Sequence, residues 1–227
     1  MADKSSETSW PDYLPLPHED IFAIGVVALN YCQLENIFRS VFSGVTRLNE
    51  HQTAALFHRL ANNVRKDVLS ELLAKTTIPE DLRELVRHFL SGFQRCADNR
   101  HFIMHSSSGG VHISQSTGRY GLVLQRFSRA GAKLECFLTL DELKVVADEI
   151  HSFSGFGAWV VGDITSYATH ALRGHPEDFR GISPSTLRDK PALPTPLSWR
   201  SPDDPKAQKL PHAASTLLSP HRRRDGD

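Results

Sequence analysis

Arg100 and His105 lie five positions apart near the end of the third predicted helix, with the polar residues Asp98, Asn99 and His101 beside them. An arginine binds phosphate through two parallel hydrogen bonds and stabilises developing negative charge. A histidine, with an ordinary pKa of about 6.5, transfers protons near neutral pH. Side chains of these two types suit phosphodiester cleavage without a metal ion, because one neutralises charge while the other moves a proton.

The geometry of the predicted helix places Arg100 and His105 on different sides of it. Arg100 falls on the apolar stripe, between Cys96 and Ile103. Five steps of about 100° each put His105 roughly 140° around the helix from Arg100. The helix is predicted to end at Ser106–Gly110, however, so its last turn can loosen. We therefore expect Arg100 and His105 to reach toward one pocket at the helix end.

Glu35 is also a charged residue at an apolar position, and its charge is opposite to that of Arg100. It falls on the apolar stripe of the first helix, between Cys32 and Phe38. If the two long helices pack antiparallel, Glu35 and Arg100 are expected to meet in the core or at its edge. Leaving one member of a buried pair without the other costs about 3–5 kcal/mol. The pair fits two interpretations: a structural ion pair that fixes helix register, or a carboxylate that holds a catalytic guanidinium in place.

Hydrophobic spacing predicts three helices before residue 110. The first covers about residues 19–43 and ends at Gly44, a typical C-terminal cap. The second follows Asn49 and fades at Lys75. The third opens with Thr77, Pro79 and Glu80, which read as a capping box with proline in the first turn.

The period then changes to two, which predicts a small antiparallel β meander of about residues 111–138. Thr139 and Glu142 form a second capping box and open a last long helix. Gly155 and Gly157 interrupt that helix and indicate a kink or a close helix crossing. The predicted fold class is mainly α, an antiparallel helical bundle with the meander inserted before the last helix.

Composition divides the chain into three parts. Lys and Arg total 26 and Asp and Glu total 26, and this balance excludes a generic DNA-coating protein. All 12 Phe precede position 181, whereas 8 of the 13 Pro lie in residues 180–227. We predict an extended arm at 1–18, a folded domain at 19–175, and a disordered, Pro-rich, basic tail at 176–227.

The sequence predicts a cytoplasmic protein without membrane contact. Its longest unbroken apolar run, Ile21–Leu29, has nine residues, short of the roughly 20 that span a bilayer. The N-terminus lacks the basic start and apolar core of a signal peptide. Cys32, Cys96 and Cys136 are odd in number and form no CxxC motif. All three fall on apolar phases and are expected to be small core residues.

The Arg-x4-His pattern, with polar Asp98 and Asn99 around it and Leu34-Glu35 in the first helix, resembles the HEPN superfamily of helical domains. The resemblance covers about Glu19–Ser106, and reaches Tyr167 if the β insertion and the last helix belong to the same domain. Family members often carry a polar residue, typically Asn, directly after the arginine, whereas this chain has His101 there.

The resemblance implies a HEPN-like bundle acting as a metal-independent endoribonuclease or RNA-binding protein of a defence or toxin–antitoxin system. It implies single-stranded RNA as ligand, a homodimer in which the motifs of two protomers meet, and a possible antitoxin or other protein partner. No cofactor is expected. Arg100 would bind the scissile phosphate and His105 would transfer a proton. Asn99 would orient the phosphate or the imidazole, Glu35 would hold the guanidinium, and a second protomer or His101 would supply the second proton carrier.

Two alternatives remain open at this stage. His101 and His105 have the i,i+4 spacing of two zinc ligands, and Asp98 or His112 could add a third. Alternatively, the protein is a non-catalytic helical interaction module in which Glu35, Arg100 and His105 tie helices together while another surface docks a partner.

Overall fold

Five α-helices and a three-stranded sheet make up most of the chain that the structure, a computed structural model, describes, namely residues 16–115, 117–128, 131–179 and 190–199. The helices are α1 (His18–Thr46), α2 (Glu50–Phe57), α3 (Asn62–Lys75), α4 (Glu80–Met104) and α5 (Leu140–Leu172). The strands are β1 (Ser107–Ile113), β2 (Tyr120–Phe127) and β3 (Lys133–Leu138), and a short 3-10 helix covers Pro176–Asp178. The predicted class, mainly α with a small antiparallel meander before the last long helix, is confirmed.

The core lies between the three long helices. Tyr31 of α1 stacks on Phe93 of α4, and Phe38 further along α1 contacts Phe89 earlier in α4, so these helices run antiparallel. Helix α1 makes its most extensive contacts with α5. The largest fully buried side chains are aromatic, namely Phe38, Phe42, Phe89, Phe93 and Phe153. Burial of such rings supplies most of the driving force for packing.

Glycines allow the helices to approach closely. A Cβ at Gly92 of α4 would collide with the ring of Phe153 on α5, and one at Gly157 of α5 would collide with Phe89. The predicted close crossing near Gly157 is therefore present. Gly155 faces open space, so it does not contribute to this crossing.

The segment after Asn49 forms two helices where the sequence predicted one. Asn49 caps α2 with a complete capping box, and the chain then leaves the helix between Phe57 and Asn62. This break resets the helical phase, so that α3 buries Arg65, Leu69 and Leu73. A stripe carried through the break would have buried a different set of positions.

The meander has the strand order β1-β2-β3, with both pairs antiparallel. Strand β1 begins at Ser107, earlier than the period-two pattern predicted, and its register shifts between Ser108 and Val111. The predicted capping box of α5 is present, with the Thr139 side chain accepting from the Glu142 backbone. The sheet therefore connects the end of α4 directly to the start of α5.

Helix α1 is apolar on more than one side. Leu34 and Phe38 are fully buried, yet Phe22 and Leu29 are 74 % and 72 % exposed. Cys32 is exposed rather than part of the core, because the buried stripe runs one residue out of the predicted phase. By length and composition α1 also meets the requirement for a bilayer-spanning helix, a requirement that the core helix of a soluble protein can meet as well.

Described residues near both ends of the chain belong to the helices or contact them. Residues 1–15 of the predicted arm lie outside the described residues, and His18 already belongs to α1. In the predicted disordered tail, Phe179 contacts Tyr167 of α5. Residues 190–199, here named the tail segment, also pack on the helices, because Leu197 and Trp199 bury apolar surface against the core. The tail segment therefore contacts the folded domain within the region predicted as a tail.

Candidate functional site

Arg100 and His105 meet at the end of α4. The Nη1 atom of Arg100 lies 3.3 Å from Nε2 of His105. His105 is the C-cap residue, with φ −112° and ψ 7°, so its backbone has left the helix and its ring turns back toward the preceding turn. Because a guanidinium only donates hydrogen bonds, Nε2 is the acceptor in this contact. The Nε2 lone pair of His105 thus faces the Arg100 guanidinium.

Tyr31 of α1 lies beside Arg100. The Arg100 guanidinium carbon is 5.5 Å from the centre of the Tyr31 ring, within the range of cation–π attraction. Burial, followed by the nearby charge of Glu35, raises the pKa of Tyr31 to about 12, so the phenol stays protonated at neutral pH. Arg100 is half-buried and His105 is exposed. The guanidinium is thus oriented by the protein while remaining reachable from solvent.

A cavity of about 250 Å³ opens next to this arginine. Helices α1, α3 and α4 all contribute to its lining, which includes Tyr31, Asn62, Gln94, Arg100 and His101. These side chains offer hydrogen-bond donors of the kind that bind an anionic or polar ligand. Among the described residues, no carboxylate forms an ion pair with Arg100. Its charge is therefore available to a ligand in this cavity.

The expected pair between Glu35 and Arg100 is not formed. Glu35 instead accepts a hydrogen bond from Nη1 of Arg65 at 3.2 Å. The Arg65 guanidinium also lies 3.8 Å from the centre of the Phe57 ring, and the Arg65 side chain is only 9 % exposed. The break before α3 places Arg65 on the buried phase, where it takes the carboxylate that the sequence assigned to Arg100.

Asn62 connects this ion pair to the cavity. Its Oδ1 accepts from Nη1 of Arg65 at 2.6 Å, and its Nδ2 donates to the Tyr31 hydroxyl at 3.0 Å. The contacts from Glu35 through Arg65, Asn62 and Tyr31 end at the Arg100 guanidinium. Glu35 therefore supports Arg100 only through three intervening side chains.

His101 adds a second imidazole to the site. The ring centres of His101 and His105 are 4.5 Å apart. Desolvation, followed by the nearby His105, Arg126 and Arg100, lowers the pKa of His101 below its ordinary value of 6.5. His101 is consequently neutral at neutral pH. Asp98 acts in the opposite direction, and its Oδ1 accepts from Nε2 of Gln94 at 2.9 Å.

Asn99 does not join this group. It is 2 % exposed, and its amide binds the tail segment: Nδ2 donates to the Thr195 carbonyl at 2.8 Å, and Oδ1 accepts from the Leu197 N–H at 2.9 Å. The role predicted for Asn99, orienting a phosphate or an imidazole, does not fit this arrangement. One step along α4 from Arg100 is about 100°, which turns Asn99 toward a different neighbour.

The described residues do not supply the third ligand that the zinc alternative requires. Within the described ranges, the group of three side chains whose ligand atoms converge is His175, Glu177 and Asp178, all exposed. Neither Asp98 nor His112 completes a set with His101 and His105. Exposed acidic groups of this kind are common without a metal.

Two larger cavities lie elsewhere in the described part of the chain. One, of about 520 Å³, is mostly apolar and lies where the start of α1 meets the start of α5, beside Phe22 and Leu140. The other, of about 550 Å³, lies beside Leu82, Phe179 and Lys190. Neither is lined by a residue that the sequence predicted to belong to the functional site, so size alone does not identify the site.

Three side chains of the site had no place in the sequence prediction, namely Tyr31, Asn62 and Arg65. The pair Asn62-Asn63 after Leu60 and Ala61 could have indicated a new helix start, because asparagine is common at helix N-termini. Recognising that start would have moved Arg65 onto the buried phase. Tyr31 carried no comparable signal, because an aromatic residue at helical spacing from Val27 and Leu34 is typical of a helix core.

Comparisons of this chain with protein-family models, with curated protein sequences and with solved structures give no match. The interpretation of the site accordingly depends on its own geometry and chemistry.

Proposed function

We propose that this protein is a HEPN-like, metal-independent endoribonuclease that acts on single-stranded RNA, with Arg100 and His105 as its catalytic residues. The observation that carries the proposal is the 3.3 Å contact between Arg100 Nη1 and His105 Nε2 at an accessible helix end. A guanidinium that has no carboxylate partner among the described residues, next to an imidazole, is the minimal set for this chemistry. We further propose that the protein acts in the cytoplasm, in a defence or toxin–antitoxin setting.

Arg100 supplies the positive charge. Its guanidinium binds the scissile phosphate and stabilises the charge that develops on the non-bridging oxygens as the 2′-oxygen attacks phosphorus. Tyr31 and the contacts behind it keep the guanidinium at the cavity. Binding a phosphate requires Arg100 to exchange its contact with His105 for one with the ligand, and this exchange frees Nε2 of His105.

The two imidazoles divide the proton transfers. His101, kept neutral by its lowered pKa, suits the general base that removes the proton from the 2′-hydroxyl. His105, whose Nε2 takes up a proton from solvent once Arg100 has released it, then protonates the departing 5′-oxygen. The products are a 2′,3′-cyclic phosphate and a 5′-hydroxyl, and the proton taken by His101 balances the one released by His105. A homodimer that brings two such sites together would supply additional proton carriers.

The experiment is cleavage of labelled single-stranded RNA by the full chain in the presence of EDTA. Arg100→Ala and His105→Ala are expected to lower the rate by about 10²-fold or more each, with unchanged circular dichroism and thermal unfolding. Arg87→Ala is the matched control, since Arg87 lies earlier on α4 and pairs with Glu80. A wild-type chain inert on diverse RNAs, or full activity in both variants, would contradict the proposal.

The second candidate function is a non-catalytic interaction module. The observation in its favour is that Arg100 contacts Tyr31 as well as His105, and the contact with Tyr31 joins α4 to α1. In that case Arg100→Ala and His105→Ala would reduce stability and leave no RNA-dependent property to lose. The same variants thus distinguish the two functions.

A further inference from the structure

We propose that the surface of α4 and α5 around Asn99 is a peptide-recognition groove, and that the tail segment is its ligand, tethered to the same chain. The groove is defined by His88, Asn99 and Phe102 of α4 and Glu149 of α5, four residues that contact the tail segment. This inference is independent of the ribonuclease proposal, because none of these four residues belongs to the Arg100 site.

The groove binds the backbone of the tail segment through hydrogen bonds. His88 donates from Nε2 to the carbonyl of Pro191 at 2.7 Å, and Oε1 of Glu149 accepts from the Thr195 N–H at 3.1 Å. Asn99 bonds both the Thr195 carbonyl and the Leu197 N–H. An asparagine amide carries a donor and an acceptor together, so this one side chain binds the peptide as a neighbouring strand would.

The side chains of the segment add a selective component. Pro194 is buried, and residues 195, 197 and 199 are partly buried while 196 and 198 are exposed. Trp199 lies against Phe102, with ring centres 4.1 Å apart, and aromatic contacts of this kind contribute about 0.5–1.5 kcal/mol beyond their buried area. The groove therefore distinguishes a peptide with a central proline and a following tryptophan from a generic chain.

Proline content makes the segment a suitable ligand. Pro191, Pro194 and Pro196 each fix φ near −65° and lack an N–H group. The residues that do donate to the groove, Thr195 and Leu197, directly follow two of these prolines. A stiff chain loses less conformational entropy on binding, so ten residues are enough to form a specific complex.

Covalent attachment makes the tethered copy the favoured occupant. A short linker gives the attached ligand an effective concentration of about millimolar, so a free peptide of the same sequence competes poorly against it. Impairing the tethered copy should open the groove to that free peptide. The affinity of the free peptide before and after this impairment therefore tests the proposal.

The probe is a fluorescein-labelled peptide of residues 190–199, and binding is measured by fluorescence anisotropy on the full chain. In one variant the tethered copy carries Leu197→Pro, which removes the N–H that Asn99 binds, and Trp199→Ala. The peptide is expected to bind this variant at least about tenfold more tightly than the wild-type chain. Adding Asn99→Leu should abolish that binding, whereas adding Gln94→Leu, which removes an amide on the same helix that donates to Asp98, should not.

Equal affinity for the wild-type and impaired chains, or binding that survives Asn99→Leu, would overturn the proposal. Hydrogen exchange on the wild-type chain gives a second measurement that needs no variant to fold. The amides of Thr195 and Leu197 should be protected, and that protection should not change on dilution. Protection that falls on dilution would show the segment docked on a second copy and overturn the assignment to the same chain.

Discussion

The Glu35 carboxylate on α1 accepts a hydrogen bond from the buried guanidinium of Arg65 on α3. This contact fixes the position of α3, and with it Asn62, which bonds the Tyr31 hydroxyl. Because Arg65 uses this carboxylate, the charge of Arg100 remains for a ligand. The ion pair thus supports the candidate site without touching its chemistry.

Removing one member of the Glu35–Arg65 pair should destabilise the protein. Glu35→Ala leaves the Arg65 guanidinium buried and short of an acceptor, and we expect the free energy of unfolding to fall by about 1–3 kcal/mol. Glu71→Ala is the matched control, because Glu71 and Lys75 form an exposed pair whose loss should cost less than about 1 kcal/mol. Urea unfolding gives both values.

A double-mutant cycle tells which arginine Glu35 is coupled to. Glu35 and Arg65 should show a coupling energy of about 0.5–3 kcal/mol, whereas Glu35 and Arg100 should be additive within about 0.5 kcal/mol. Strong coupling to Arg100 would contradict the contact pattern described above.

His101 should titrate below its ordinary pKa of 6.5. Desolvation is the main cause, so His105→Asn and Arg100→Gln should each raise the pKa only in part, while Asp98→Asn should lower it further. The ring protons of His101, followed by NMR from pH 4 to 8 in about 0.5-unit steps, measure this directly. Arg87→Gln should leave the curve unchanged, and a wild-type midpoint at or above 6.5 would refute the assignment of His101 as the neutral base.

The lowered pKa of His101 also determines in which direction the stability of the protein changes with pH. The folded chain binds the His101 proton less tightly than the unfolded chain does, so this residue's contribution to the free energy of unfolding is complete above pH 6.5 and is lost as the pH falls through the folded pKa.

Replacing Gly92 by alanine and replacing Gly155 by alanine should change the free energy of unfolding in opposite directions. Gly92→Ala places a methyl group against the Phe153 ring, and the overpacking should cost about 1–3 kcal/mol. Gly155→Ala meets no neighbour and should stabilise α5 by up to about 1 kcal/mol. Thermal unfolding of the two variants gives the comparison, and a stabilising Gly92→Ala would mean that α4 and α5 do not cross this closely.

Glu149 should make the stability depend on pH in the acidic range. Burial raises its pKa above the ordinary 4.5, although the bond from Thr195 opposes the shift. The folded chain therefore holds this proton more tightly, and the contribution of Glu149 to stability falls as the pH rises from 4.5 through the folded pKa.

Glu149→Gln keeps an acceptor for the Thr195 N–H and removes the charge. The stability of this variant relative to wild type should therefore be greater at pH 7 than at pH 4.5. Urea unfolding at both pH values measures the difference, and a difference of the reverse sign would show that Glu149 is stabilised in its charged form.

Sequence periodicity predicted those parts of the fold that depend on local signals. The capping box at Thr139 and the change of period after α4 each depend on neighbouring residues alone, and they predicted the elements correctly or within a few residues. The capping box predicted at Thr77 and Glu80 is wrong, because the N-cap residue of α4 is Pro79 and no side chain caps this helix. The junction between α2 and α3 lacks glycine and proline, and its one local signal, the pair Asn62-Asn63, is weak. The phase error that followed hid Arg65.

Long-range contacts were harder to predict. The Arg100–His105 contact was anticipated because it depends only on the end of one helix. The engagement of Asn99 depends on residues almost a hundred positions later, and a proline-rich composition favoured disorder for them. Composition describes whether a segment can form its own core, but it does not show whether an existing surface will bind that segment.

Asn99 and Arg100 are consecutive residues of α4, and they face two different binding surfaces: one holds the tail segment, and the other lies beside His105. Ligands at the two surfaces share a single helical turn as their support. Any free-energy coupling between them is reciprocal by thermodynamic necessity. Whatever factor an anion at Arg100 applies to the affinity of the groove for its peptide, the peptide applies the same factor to the affinity of the site for the anion.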